Sequence, residues 1–268
     1  MRKILVGWAL AFTTAACGIS TQQEVQMGAE YASQINAQLP IVQDAEINRY
    51  VNVLGDSIAR LADARGIDYT FYVVNAGEVN AFAVPGGFIY VNRGLIERTQ
   101  NLSQLAGVLG HEIAHVVRRH SVEQMEKAQG ANLGLVLGCT LLNVCGSQAA
   151  QAAIQVGGTA LFAKFGRDDE READRDAVAN VIRAGINPEG VPQMFEILLA
   201  ERSRNPSAVE SWFSTHPGEE ERITETRAVI GQYQAAILRT LTTNTTAYNS
   251  FKTRVRSLPA PSTASNRR

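Results

Sequence analysis

The sequence predicts an α+β fold, mostly helical, with one small β-sheet. Three observations predict it. Apolar residues recur at three- and four-residue steps through most of the chain between Gln22 and Leu258, the period of an amphipathic helix. The stretch from Tyr69 to Val91 holds runs rich in β-branched and aromatic residues, the mark of strands. Inside it, Val84-Pro85-Gly86-Gly87 is turn chemistry between Phe82-Ala83-Val84 and Phe88-Ile89-Tyr90-Val91. That pattern reads as a β-hairpin.

The chain begins Met1-Arg2-Lys3 and then runs apolar from Ile4 to Phe12. A basic start before a short apolar run is a secretory signal, too short to span a bilayer as a mature helix. Thr14-Ala15-Ala16 before Cys17 resembles a lipoprotein cleavage site. On that reading residues 1–16 are a signal peptide and Cys17 receives the lipid. Plain cleavage near Ala16, with Cys17 incidental, is the other reading. Gly18 is not an inner-membrane retention residue. By analogy the address is the periplasmic side of the outer membrane in a Gram-negative bacterium, with the membrane reached through the lipid anchor.

Gln22 to Leu39 and Asp44 to Ala64 read as amphipathic helices, and Tyr69 to Val74 as a strand before the hairpin. From Leu102 to His120, Leu105, Ala106, Leu109, Ile113, Val116 and Val117 keep the helical period. Asn101 or Ser103 caps its start, and Arg118, Arg119 and His120 suit the dipole at its end. Gly107 and Gly110 lower helix propensity and point to close approach by another element. Ser121 opens a continuation that holds Glu123, Glu126 and Lys127. Further helices are expected over Asp168–Ala184, ended by Gly185 and Pro188, then Val191–Glu201, Glu219–Arg239 and Tyr248–Leu258. Residues 259–268, built of Pro, Ser, Thr, Ala, Asn and Arg, form an expected disordered tail. Residues 17–258 form one domain, since a chain of this size buries one sizeable core. No internal repeat is evident.

No charged residue occurs between Lys127 and Lys164. Asn, Gln, Thr, Ser and Gly interrupt this apolar stretch, so it is not read as a membrane helix. Two readings stand: a buried helix pair beside the site, or a lid or membrane-facing surface. The whole chain has a formal net charge of −1. Loss of Arg2 and Lys3 with the signal leaves 23 basic and 26 acidic side chains, net −3. Nothing there suggests a nucleic acid partner. Cys139 and Cys145 are close in sequence in an exported chain, and an oxidising compartment lets them pair as a disulfide.

His111-Glu112-Ile113-Ala114-His115 carries the chemistry. The sequence has only four histidines, and two of them stand at i and i+4, one above the other on a helix. They can offer two imidazoles to one metal ion, with Glu112 beside the first as general base. His120 falls outside the motif by helical position and receives no role. A catalytic zinc usually takes three protein ligands. Within Arg167-Asp168-Asp169-Glu170-Arg171-Glu172-Ala173-Asp174, Glu170 and Asp174 share a helical face, and Glu172 points roughly the opposite way. Glu170 is therefore the expected third ligand. Metal-bound histidines usually donate their other ring N–H to a carboxylate, a task assigned to Asp174 toward His111. One Zn2+ per chain is expected.

Four blocks in order carry a family resemblance. They are Asn80-Ala81-Phe82-Ala83-Val84-Pro85-Gly86-Gly87; Leu105 to Gly110 leading into the H-E-x-x-H; Glu170-Arg171-Glu172-Ala173-Asp174; and Ser214-Thr215-His216-Pro217 with Arg222-Ile223 after it. Together they cover about residues 45 to 235. The chain resembles the zinc endopeptidases that include the CAAX prenyl protease and HtpX, peptidase family 48 of the metallopeptidase class. It looks most like the periplasmic lipoprotein branch.

The resemblance implies a zincin-like (gluzincin) metallopeptidase domain around the H-E-x-x-H helix. It implies a zinc metalloendopeptidase acting on misfolded or stalled envelope polypeptides. It implies an edge strand that binds substrate by strand addition, with Asn80, Ala81 and Phe82 as candidates. It also places His216 near the metal. There His216 either donates to the developing oxyanion or occupies the open metal position and holds the enzyme idle. Arg222 either aids the oxyanion or caps a helix. A chaperone or assembly factor for outer-membrane proteins, using the same cleft for binding, is the alternative function.

Overall fold

A computed structural model describes residues 18–128 and 164–261. In chain order the elements are α1 Thr21–Gln38, α2 Ala45–Ala62, β1 Thr70–Val74, β2 Ala81–Val84, β3 Phe88–Asn92, α3 Arg93–Arg98 and α4 Leu102–Arg118. A further helix, α5, covers residues 120–128. Beyond residue 163 come α6 Arg167–Arg183, α7 Gly190–Arg204, α8 Glu210–Thr215, α9 Glu219–Ile230, α10 Ala235–Leu238 and α11 Thr246–Arg256. Among the described residues the fold is mostly helical with a small sheet, as expected; the sheet has three strands. The signal peptide, Cys17, Cys139, Cys145, nearly all of the uncharged stretch and the end of the tail lie outside the described residues. Among the described residues, no helix is long and apolar enough to cross a membrane.

The sheet has the order β1-β3-β2, with β1 parallel and β2 antiparallel to β3. Period-two alternation sorts its side chains onto two faces. Phe71, Val73, Ile89, Val91 and Ala81 join the main core with α2 and α4. Tyr72, Tyr90, Val74, Val84 and Phe82 face the other way and meet Met27, Tyr31 and Ile35 of α1. The register sets Tyr72 and Phe82 directly across from Tyr90. Both rings stack on it at 4.8 Å, a favourable cross-strand row.

Helix α4 runs through the middle of the molecule, and all but its last two residues are buried. Asn101 caps it by accepting from the Gln104 N–H at 3.1 Å. Gly107 and Gly110 each cost about 1 kcal/mol of helix propensity. Leu105, Leu109 and Ile113 are fully buried, and each such side chain contributes about 1.5–3 kcal/mol. Packing, not propensity, therefore holds this helix. Gly107 is needed for it: a Cβ there would stand 2.9 Å from the Val191 backbone nitrogen of α7. The hairpin turn uses Gly86 and Gly87 at φ of 79° and 92°, a region open to glycine.

Three expectations change. The helix expected over 102–120 breaks at Arg119, which adopts a left-handed φ of 61°, and resumes as α5. The helix expected over 219–239 stops at Ile230. There the Gln232 and Tyr233 amides bond three residues back, to Val229 and Ile230, tightening the chain into a turn after Gly231. Helices α3 and α8 were not expected; six residues are too few to show a period.

The break at Arg119 is held from α1. Glu24, fully buried, accepts from Arg119 Nε at 2.8 Å and pairs with Arg65 at 3.2 Å. It also accepts from the Gly86 amide at 3.3 Å. Arg119 reaches the Ile19 carbonyl as well. One carboxylate thus joins α1, the hairpin turn and the end of α4.

Candidate metal centre

Helix α4 supplies His111, Glu112 and His115, and α6 crosses it with Glu170 and Asp174. His216 stands where α8 ends. All six side chains are buried. The donor atoms of His111, His115, Glu170 and His216 lie within 4.8 Å of one another. His111 Nε2 is 3.0 Å from His115 Nε2 and 3.4 Å from His216 Nδ1. His216 Nδ1 is 3.0 Å from Glu170 Oε1, and Glu170 Oε2 is 3.5 Å from His111 Nε2. Ligands at about 2.0–2.1 Å from a tetrahedral zinc stand roughly 3.3 Å apart. The donors are spaced to match. Three nitrogens and a carboxylate in one dry spot are a metal-binding set.

The surrounding groups orient that set. Asp174 Oδ1 lies 2.9 Å from His111 Nδ1, the nitrogen turned away from the cluster. Arg222 of α9 grips Asp174 through Nε and Nη2, both at 2.7 Å, and its Nη1 lies 2.6 Å from Glu170 Oε2. Such a fork on a carboxylate fixes geometry as well as charge. The guanidinium also lies over Phe195, 4.3 Å from the ring centre. Trp212 stacks on His216 at 4.5 Å, and Phe165 on His115 at 4.0 Å.

Charge is sorted unevenly. Burial opposes a charge on His111, but hydrogen bonds to Asp174 and Glu170 outweigh it and lift its pKa to about 9. Burial, helped by the His111 charge, pushes His115 well below the usual histidine range. Burial works to raise Glu170 and Asp174, yet the groups beside them hold both down: His216 and Arg222 for Glu170, Arg222 above all for Asp174. Glu112 is raised, chiefly by burial. Neither of its oxygens takes a hydrogen bond, although both are buried. A buried carboxylate beside a ligand set, with unspent acceptor capacity and raised basicity, is suited to move a proton.

The other expected residues lie at the sheet. Strand β2 is at its edge in the order β1-β3-β2. Ala81 is fully buried and Phe82 stacks on Tyr90. The Asn80 carbonyl accepts from the Asn92 amide at 2.9 Å. The Arg222 guanidinium bridges the two carboxylates of α6. Sequence reasoning missed His120, which lies against His115, because helical periodicity does not foresee the left-handed turn. It also missed Trp212 and Phe165, which carry no motif.

A buried histidine–carboxylate cluster on an H-E-x-x-H helix, beside a small sheet, defines a zincin-like metallopeptidase domain. The chain belongs to Peptidase family M48, whose family model matches residues 45–230. It is 34% identical over 221 residues to the beta-barrel assembly-enhancing protease of Yersinia pestis, covering 80% of this chain and 45% of that protein. The same-named protein of Escherichia coli K12 is 34% identical over 232 residues, 84% of this chain and 47% of that one. Metalloprotease YcaL of E. coli K12 is 31% identical over 179 residues, with coverages of 63% and 66%. The chain spans about half the length of the assembly-enhancing proteases it matches.

Proposed function

We propose that this protein is a zinc metalloendopeptidase of the Gram-negative envelope, held at the periplasmic side of the outer membrane by lipid on Cys17. His111, His115 and Glu170 are the zinc ligands, supported by the convergence of their donor atoms. A zinc ion held there supplies Lewis acidity that polarises the scissile carbonyl and acidifies water. Glu112 takes the proton of the attacking water and delivers it to the leaving nitrogen. Asp174 orients His111, and Arg222 locks Asp174 and Glu170. An extended substrate adds to the β2 edge at Asn80, Ala81 and Phe82 through main-chain hydrogen bonds. Its substrates are misfolded or stalled envelope polypeptides. The observation that carries this reading is the pairing of a buried ligand set with a buried Glu112 carboxylate that accepts no hydrogen bond.

The names of its relatives, beta-barrel assembly-enhancing proteases, favour outer-membrane protein assembly as the setting. They also support the second reading, an assembly factor that chiefly binds. Complementation separates the two. Wild type, but not Glu112→Gln, rescues an envelope defect if the protein works by cleavage. Rescue by both establishes the binding role.

Anchoring has its own test. Cys17→Ser moves the protein from the membrane to the soluble fraction; persistence at the membrane rejects the lipid anchor.

His216 acts as a brake. Its Nδ1 lies in the donor cluster, 3.4 Å from His111 Nε2, and its Nε2 is 3.7 Å from Glu112 Oε1. A ring so placed takes the position hydrolysis needs and stands before the base. His216→Ala therefore raises basal cleavage of casein at unchanged zinc content. A fall in kcat instead assigns His216 to the transition state, and no change makes it a structural turn residue.

A further inference from the structure

The two ring nitrogens of His115 face opposite ways. Nε2 faces the donor cluster, 3.0 Å from His111 Nε2 and 3.6 Å from Glu170 Oε1. Nδ1 faces away and lies 2.8 Å from Nδ1 of His120. His120 is itself buried, and its Nε2 is 3.6 Å from Glu172 Oε2. Two imidazole nitrogens at hydrogen-bond distance must divide the roles: one carries the proton, the other a lone pair. A His115 that gives its Nε2 lone pair to a metal carries its proton on Nδ1. His120 then accepts at Nδ1 and holds its own proton at Nε2, on the side of Glu172. The chain of groups closes without a clash of donors or acceptors.

We propose that His120 is a positioning residue for the metal site. It accepts the Nδ1–H of His115, fixes the tautomer that leaves Nε2 free, and holds the ring plane toward the cluster. Glu172 orients His120 in turn. The two motif histidines are thus supported differently. His111 leans directly on the Asp174 carboxylate at 2.9 Å; His115 leans on a second imidazole, with the carboxylate one step further out.

The backbone explains how His120 gets there. On an unbroken helix, position 120 would lie about 140° around the axis from position 115, out of reach. The left-handed Arg119, at φ 61°, folds the chain back. That conformation is unfavourable for a non-glycine residue, and Arg119 is held in it by Glu24 of α1 and the Ile19 carbonyl. Helix α1 precedes the region the family model matches, yet through this contact it sets the outer support of the site.

The inference rests on the reading of His115 as a zinc ligand. Its test is the zinc affinity of the full mature chain, measured by competition with a chromophoric chelator, together with the visible spectrum of the cobalt(II)-substituted protein. His120→Leu is expected to weaken zinc binding about ten- to a hundredfold, the usual cost of losing such a partner, and to shift the cobalt bands. His120→Asn, whose amide oxygen stands where Nδ1 accepted, recovers most of both. A filler of space alone would be served better by Leu than by Asn, so the order of the two variants separates positioning from packing. The proposal is overturned if His120→Leu binds zinc as tightly as wild type with the same spectrum. It is overturned equally if His120→Asn binds as weakly as His120→Leu. Failure of the ligand reading looks different: His115→Ala then binds zinc like wild type, and the role of His120 falls with it.

Discussion

Glu112→Gln is expected to keep one zinc per chain and an unchanged fold, and to lose peptide-bond cleavage by about 10²- to 10⁴-fold, the range for a general base. Glu112 lies beside the ligand set without belonging to it, and neither of its oxygens accepts a hydrogen bond. Replacing one oxygen by an amide therefore costs no hydrogen bond among the described residues. The amide cannot take a proton from water, and it removes a buried charge whose pKa burial has already raised. Thermal stability should hold or rise slightly. Casein turnover and zinc content, measured on one preparation, check it. Undiminished turnover in a zinc-loaded variant would remove Glu112 from the mechanism.

The second large effect is on metal content. Wild type should purify with close to one equivalent of zinc, and Glu170→Ala with a small fraction of that. Glu170 alone brings a formal negative charge to the donor cluster, and the groups beside it, Arg222 among them, hold its pKa well below the usual carboxylate range. A hard carboxylate and two imidazoles suit zinc; two imidazoles alone make a poor site. The fold should survive, because Arg222 keeps its two-pronged grip on Asp174. Metal analysis beside a thermal melt separates lost ligation from lost structure. Retention of a full equivalent would reject Glu170 as third ligand and move that role to His216, whose Nδ1 already faces His111.

Much of the architecture was legible because period and punctuation agree with packing. Asp44 and Asn101 cap the helices they precede, and Pro85-Gly86-Gly87 turns the hairpin. Gly107 marks a close helix contact. What failed was local. The stop at Ile230 and the turn at Arg119 are decided by bonds and partners that leave no periodic trace.

The sequence by itself determined which residues could meet at the site. His111 and His115 share a face because any α-helix puts i and i+4 together, and Glu170 and Asp174 share another for the same reason. Only the tertiary structure decided how those faces combine. The crossing of α4 and α6 sets Glu170 beside the two imidazoles, and the end of α8 adds His216. The Arg119 turn, braced by Glu24 from the far end of the chain, brings in His120. Helical spacing is a property of neighbouring residues, readable from their order. The contacts of Arg222, His216, Arg119 and Glu24 join residues up to 111 positions apart, and they depend on packing that no local pattern encodes.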